Sequence, residues 1–242
     1  MMKRSTILLL SALVAVLFVA PQLRAAVSID VTTAGDWIGT YGNDGYILPY
    51  YLGSGYMSSP PSTLDLTSLP NFVTGYGYAD SERSGYKWGS GTNSASAWFA
   101  RSAADPRPGV TTRETCIAYR ADSMTVGLSL APDAPSFQMA VYAYHITTEV
   151  LDQTIAAQWQ GETTPFDSAA LNAYQTGQWA VFDIDPNGKT QLDIILTRAA
   201  SSASADAMIQ GIMFDAVPEP GITALLCCGL LTLSAIARRK QG

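Results

Sequence analysis

The sequence predicts an all-β protein built as an antiparallel β-sandwich. Short apolar or alternating runs recur along the chain and are separated by Gly, Pro, Asn and Asp residues. Helical periodicity is almost absent from the central part, and no repeat of fixed length is visible, which argues against a propeller or a solenoid. These observations together favour about ten strands packed as two sheets.

Ten segments have the length and the apolar or alternating pattern of strands. In chain order they are residues 27–31, 37–41, 72–78, 115–119, 124–130, 137–144, 155–159, 179–184, 191–197 and 208–214. Residues 168–174 are the one helical candidate, which we expect to be a short connector. The Gly-, Ser- and Pro-rich stretches 53–61 and 89–108 are predicted to be loops or insertions.

The N-terminal end has the pattern of a secretory signal peptide. Lys3 and Arg4 precede an apolar run over residues 7–20, Pro21 follows as a breaker, and Ala25 is a small residue suited to signal peptidase. We therefore expect a signal peptide over residues 1–25, with a membrane anchor as the alternative. Residues 26–216 then form the body, which is long enough for one domain and short for two.

The C-terminal end, residues 217–242, has three parts. Residues 217–221 are rich in proline, residues 222–237 are apolar, and residues 238–240 are basic. The apolar part would be about 24 Å long as a helix, slightly short for a hydrocarbon core of about 30 Å. Its basic end would remain on the cytoplasmic side of the inner membrane. Hydropathy alone fits a processing signal and a plain tail anchor equally well.

The tail resembles the PEP-CTERM sorting signal of Gram-negative bacteria. The resemblance is carried by Val217, Pro218, Glu219, Pro220 and Gly221, by the hydrophobic helix, and by the pair Arg238 and Arg239. It implies recognition by an exosortase-type enzyme and cleavage near Pro218 to Pro220 after an inner-membrane intermediate. It further implies a final location at the cell surface or outside the cell, in connection with exopolysaccharide.

The charge of the body limits its partners. Residues 26–216 carry 8 basic and 19 acidic residues, a net charge of −11. Such a body repels phosphate backbones, so we expect no nucleic-acid partner, whereas neutral sugars, cations or a protein fit better. Cys116 is the only cysteine of the body, which excludes an intramolecular disulfide, and we expect it to be buried in a strand.

Groups suited to catalysis are scarce, and we expect no enzyme. His145 is the only histidine, so a zinc site with several histidine ligands is excluded, and we expect this residue to lie in a loop after a strand. No Gly-x-Ser-x-Gly motif is present. A carboxylate pair for glycoside hydrolysis stays open, because sequence spacing does not report distances in the fold.

Residues 183–188 begin like a calcium-binding loop, but the match ends there. The twelfth position, which would need an acid, is Ile194. We instead expect Asn187 and Gly188 to form a tight hairpin between segments 179–184 and 191–197. No cofactor is expected, and a structural calcium ion elsewhere stays open without a location.

Tyrosine and tryptophan residues beside glycines carry the remaining functional signal. Aromatic rings stack on the apolar face of a pyranose, and neighbouring polar groups bind its hydroxyls. The candidate glycan-binding residues are Tyr46, Tyr86, Trp88, Asp105 and Arg107. Packing is the alternative role for each aromatic residue, and we expect Trp37 and Phe214 to lie in the core.

The order of short motifs resembles a galactose-binding-like jelly-roll module, a type of carbohydrate-binding module. The motifs occupy residues 35–46, 86–88, 105–107, 141–144 and 209–214, with a long insert between Trp88 and Asp105 as a departure. This resemblance implies a jelly-roll sandwich. The sequence therefore predicts non-catalytic association with glycan, and a structural or adhesive surface protein, or less favourably a hydrolase, as alternatives.

Overall fold

The structure is a computed structural model that describes residues 27–79, 83–92, 113–145 and 150–217. In these ranges it contains fifteen strands and two short 3₁₀ helices, Ser62–Leu64 and Tyr174–Thr176. The strands are β1 Ser28–Asp30, β2 Gly45–Leu48, β3 Gly55–Ser58, β4 Leu66–Ser68, β5 Val73–Tyr78, β6 Ser84–Thr92, β7 Arg113–Ala121, β8 Ser123–Leu130, β9 Phe137–Ala143, β10 Gln153–Trp159, β11 Asp167–Leu171, β12 Gln178–Ile184, β13 Gln191–Arg198, β14 Asp206–Ile209 and β15 Gly211–Ala216. The predicted all-β class is confirmed.

The strands form three antiparallel sheets. The first sheet has the order β1-β12-β9-β15-β2-β4, the second β11-β10-β13-β8-β5 and the third β14-β7-β6-β3. From β8 to β13 the chain passes back and forth between the first two sheets: β8, β10, β11 and β13 lie in the second sheet, and β9 and β12 lie in the first. This alternation gives the sandwich a jelly-roll-like winding.

The main core lies between the first and second sheets. Strand β8 shows how the pattern produces it: Met124, Val126, Leu128 and Leu130 are buried, and the residues between them are not. Because successive side chains of a strand point to opposite faces, this alternation places one apolar face of the second sheet inward. Strand β9 is buried along nearly its whole length, because both faces of the first sheet are covered.

Aromatic residues cover the outer face of the first sheet. The Trp179 ring lies 4.7 Å from that of Tyr41 and 4.5 Å from that of Tyr142, measured between ring centroids. Trp37 belongs to the same cluster and is only 7% exposed, while Phe214 is fully buried in the main core. Both are core residues, as predicted.

Most of the motif at residues 35–46 forms a loop. This loop carries Trp37 and Tyr41, which are part of the aromatic cover over the first sheet. The Asp215 carboxylate on β15 accepts hydrogen bonds from the backbone N–H groups of Gly42 at 2.7 Å and Asn43 at 2.8 Å. The Asp44 carboxylate accepts one from the Ala216 N–H at 2.6 Å. These contacts give the loop a packing role. The strand predicted over 37–41 is wrong, because the Tyr41 N–H donates back to the Trp37 carbonyl at 2.8 Å and closes a turn.

Further segments differ from the sequence-based expectations, including strands β2 and β4, which were not predicted. The helical candidate 168–174 is mostly strand β11, which pairs with β10. The stretch 53–61 contains strand β3, and residues 89–92 belong to β6, whereas 93–108 lies outside the described residues. The single strand expected over 208–214 is divided at Gln210, where the chain passes from β14 of the third sheet to β15 of the first.

The expected hairpin at Asn187 and Gly188 is a turn between sheets. Both residues have positive φ, 46° and 80°, and the Lys189 N–H donates to the Pro186 carbonyl at 2.9 Å, as the turn chemistry predicts. However, β12 belongs to the first sheet and β13 to the second, so the two strands do not pair with each other. The sequence therefore predicts the turn correctly, but not the strands with which β12 and β13 pair.

The two terminal segments fall mainly outside the described ranges. The predicted signal peptide and the tail from Pro218 onward lie there, and Val217 is described and exposed. In the described part of the chain, no helix is long and apolar enough to cross a membrane.

Candidate functional site

One face of the third sheet brings three tyrosines together. Tyr56 on β3 pairs with Tyr86 on β6, and Tyr86 pairs with Ile117 on β7. Tyr119 follows Ile117 by two residues and therefore lies on the same face. We call the surface formed by Tyr56, Tyr86 and Tyr119 the tyrosine face.

A cleft of about 170 Å³ opens on the tyrosine face. Its lining combines two aromatic side chains, two apolar ones and three polar ones, namely Tyr86, Tyr119, Ile117, Met208, His145, Ser204 and Asp206. Ile117 and Met208 are almost fully buried, so they form a floor, whereas Tyr56 is 61% exposed beside it. The cleft is thus an apolar and aromatic depression with polar groups at its wall.

Strand β14 places Asp206 in this cleft. Asp206 pairs with Ala121 and Met208 pairs with Tyr119, so the acidic side chain lies on the same face as the tyrosines. Burial raises the pKa of the Asp206 carboxyl above its ordinary value, His145 partly offsets this rise, and Asp122 adds to it. The Asp206 backbone N–H donates to the Ser204 hydroxyl oxygen at 3.1 Å, which places that hydroxyl at the cleft wall.

The pKa of Tyr119 reflects the groups that surround it on the tyrosine face. Burial raises this pKa, and Tyr56, Asp206 and Tyr86 each add to the rise, while a hydrogen bond with Ser84 opposes it. Burial and the nearby Asp206 carboxylate both disfavour the phenolate, so Tyr119 stays neutral. Its uncharged ring can stack on a ligand.

The predicted glycan-binding residues are not all brought together. Tyr86 lines the cleft, but Tyr46 lies on β2 of the first sheet, with its ring 5.8 Å from that of Trp37 in an edge-to-face arrangement. The backbone of Trp88 pairs with Thr115 on the third sheet. Asp105 and Arg107 lie outside the described residues.

Four cleft or rim residues were not among the glycan-binding candidates chosen from the sequence: Tyr56, Tyr119, His145 and Asp206. The stretch containing Tyr56 resembled a loop, and Asp206 precedes a run that the sequence joins into one strand. His145 does follow the end of β9, as predicted, but it faces the cleft. One signal in the sequence pointed to this site. Ile117 and Tyr119 are two residues apart, which in a strand places both side chains on one partly aromatic face.

A second polar cluster is sealed inside the protein. The Asp65 carboxylate accepts hydrogen bonds from the Tyr50 N–H at 2.7 Å and the Tyr78 hydroxyl at 3.0 Å, and it lies 3.6 Å from the Arg83 guanidinium. Burial raises the pKa of Asp65, although its hydrogen bonds and Arg83 act against the rise. Because the Arg83 and Asp65 side chains are 3% and 0% exposed, this cluster supports the fold and is closed to ligands.

The described residues contain no group of three or more His, Cys, Asp or Glu side chains that could hold a metal ion. Cys116 is a fully buried cysteine on β7, as expected for a packing residue. The calcium site left open by the composition remains without a location.

No family model matches the chain, and no curated protein matches it. Three solved structures resemble it. TmCBM61 in complex with beta-1,4-galactotriose has 7% identity and a TM-score of 0.30, over 43% of this chain and 72% of that chain. A native family 35 carbohydrate binding module from Clostridium thermocellum has 12% identity and a TM-score of 0.28, over 55% of this chain and 92% of that one.

The third is the ANXUR2 extracellular domain from Arabidopsis thaliana, with 14% identity and a TM-score of 0.31. The match covers 69% of this chain and 40% of that domain. At these TM-scores the sheet topology described above, and not the similar structures, defines the fold class.

Proposed function

We propose that this protein associates with glycan, without catalysing a reaction, through the tyrosine face and its cleft. The observation that carries the proposal is the convergence of Tyr56, Tyr86 and Tyr119 beside the polar side chains of Ser204 and Asp206. Tyrosine rings offer stacking surface to the apolar face of a sugar ring, and carboxylate and hydroxyl groups accept or donate to its hydroxyls.

Binding is favoured over hydrolysis by the state of the neighbouring acids. Glycoside hydrolysis requires two carboxyl groups on either side of the scissile bond. Among the described residues, Asp122 is the acid that acts on Asp206, and its Oδ1 lies 2.9 Å from Nε of Arg198 in an ion pair. An acid engaged in this way is poorly placed to serve as the second catalytic group.

We further propose that the protein is exported and sorted at the cell envelope by an exosortase-type enzyme. The support is the tail sequence, in which Val217-Pro218-Glu219-Pro220-Gly221 follows strand β15 directly and precedes the apolar and basic parts. Signal peptidase would act first, and the inner membrane would hold the intermediate. A surface location would place the tyrosine face in contact with exopolysaccharide.

The test is a glycan array probed with the purified protein, with and without calcium. We expect saturable binding to one glycan class, and Tyr86→Ala and Tyr119→Ala should each weaken it by about tenfold or more, about 1.4 kcal/mol. Leu52→Ala is the control, since it removes an apolar side chain, 56% exposed, outside the cleft lining. Thermal melting verifies that each variant is folded.

A flat array would overturn the glycan proposal. It would favour the alternative of a structural or adhesive surface protein that has no dedicated small ligand. Binding that survives both tyrosine variants would move the site away from the tyrosine face.

A further inference from the structure

We propose that the cleft is selective for glycan with free primary amines, such as a partly de-N-acetylated hexosamine polymer, over the neutral N-acetylated form. This inference rests on the proposed glycan function and specifies its ligand class. It is based on the geometry of the cleft, in which a carboxylate and aromatic rings line the same depression.

The Asp206 carboxylate lacks a permanently cationic partner among the described residues. In the ranges that the structure describes, no hydrogen bond to the Asp206 carboxylate contributes to its pKa, and His145 is the single basic residue that lowers it. Arg198 is held by Asp122 at 2.9 Å. Burial without a compensating donor makes the ionised carboxylate costly, and an ammonium group bound beside it would relieve that cost.

The tyrosine face adds a second attraction for a cation. The faces of aromatic rings carry negative potential, and an ammonium group within about 6 Å of a ring centroid gains about 0.5–2 kcal/mol depending on its desolvation. Asp206, Tyr86 and Tyr119 line the same cleft. Met208, two residues after Asp206 on β14, pairs with Tyr119, so rings and carboxylate are close enough to act on one bound group. An N-acetyl group at the same place would leave the carboxylate uncompensated.

The charge of the whole body acts in the same direction. With 8 basic and 19 acidic residues over 26–216, the protein attracts polycations and repels polymers that contain uronic acids or phosphates. Long-range attraction alone gives little selectivity between positions on the surface. The cleft adds a short-range interaction at one place on the surface. A variant at Asp206 therefore separates this local interaction from the long-range attraction.

The experiment compares two soluble probes with the same backbone, a glucosamine hexasaccharide and an N-acetylglucosamine hexasaccharide, by titration calorimetry in mildly acidic buffer, in which the amines are largely protonated. We expect the wild type to bind the amine form at least about tenfold more tightly. Asp206→Asn should abolish this preference. Asp133→Asn makes the same charge change at an exposed residue outside the cleft lining and should preserve it.

Tyr56→Leu is the second variant. Tyr56 is 61% exposed, so its removal should leave the fold intact while reducing the preference several-fold. Equal binding of both probes by the wild type, or a preference that survives Asp206→Asn, overturns the amine inference. If the glycan array shows saturable binding to a class without amines, the glycan function stands and only this inference fails; a flat array removes both.

Discussion

Single glycines show how closely the strands approach one another. A Cβ added at Gly45 would lie 2.4 Å from the Ser68 carbonyl oxygen on β4, which pairs with β2, and 2.6 Å from the Pro70 ring. A Cβ added at Gly77 on β5 would meet nothing within 4 Å. Both glycines lie in strands, so the two positions differ in the room available for a methyl group.

We predict that Gly45→Ala destabilises the protein by about 1–3 kcal/mol, because backbone must move to admit the methyl group. Gly77→Ala is the matched control and should be neutral or slightly stabilising, since alanine restricts the unfolded chain more than glycine does. Denaturant unfolding of both variants provides the comparison. Equal stability losses would show that β2 and β4 are not paired as described.

At the scale of an element, the loop over residues 31–44 is held at its start by Asp30. The Asp30 carboxylate accepts hydrogen bonds from the Thr32 N–H at 2.7 Å, the Thr33 N–H at 3.1 Å and the Tyr41 hydroxyl at 2.9 Å. The Trp179 Nε1–H donates to the Ala34 carbonyl at 2.8 Å and fixes the loop over the first sheet. The aromatic cover thus depends in part on the Asp30 carboxylate, together with Asp215 and Asp44 at the end of the loop.

This arrangement predicts a pH dependence of stability. Partial burial raises the pKa of Asp30, but hydrogen bonds from Thr33 and Thr32 outweigh it and leave the pKa below its ordinary value. Because the folded pKa is the lower one, the ionised group stabilises the fold above about pH 4, and this contribution is lost as the pH falls further.

Asp30→Asn should therefore cost about 1 kcal/mol at neutral pH and lose less additional stability than the wild type between about pH 4 and about pH 2. Urea unfolding across this range measures both effects. Asp133→Asn, at an exposed residue, should follow the wild-type curve. Parallel curves for wild type and Asp30→Asn would refute the role given to this carboxylate.

At the scale of the whole molecule, the sorting proposal predicts the fate of a variant with alanines at Pro218, Glu219 and Pro220. Export should remain intact, because the signal peptide is unchanged, but an uncleaved precursor should accumulate in the inner membrane. Cell fractionation and the mass of the exported protein report both. Gln241→Ala, beyond the basic end, is the control and should mature normally.

Two results would contradict the sorting proposal. If the triple-alanine variant reaches the surface with the wild-type mature mass, the tail is not a sorting signal. If wild type and variant both remain in the membrane at full length, the tail is a plain anchor.

The sequence by itself determined the properties that depend on local pattern. Period-two alternation in Met124 to Leu130 is enough to predict a strand and its buried face, and the Asn187-Gly188 pair is enough to predict positive φ. Large apolar side chains such as Trp37 and Phe214 could be placed in the core, because burial follows from their apolar surface. The acidic balance of the body also follows from composition alone.

Only the tertiary structure decided which strands are neighbours and which residues form the cleft. Tyr56, Tyr119 and Asp206 are far apart in sequence and meet because β3, β6, β7 and β14 pair in one register. Strand pairing depends on long-range contacts that local alternation does not encode, since each strand could pair with several others. For the same reason Tyr46 and Tyr86, which the sequence grouped together, belong to different sheets.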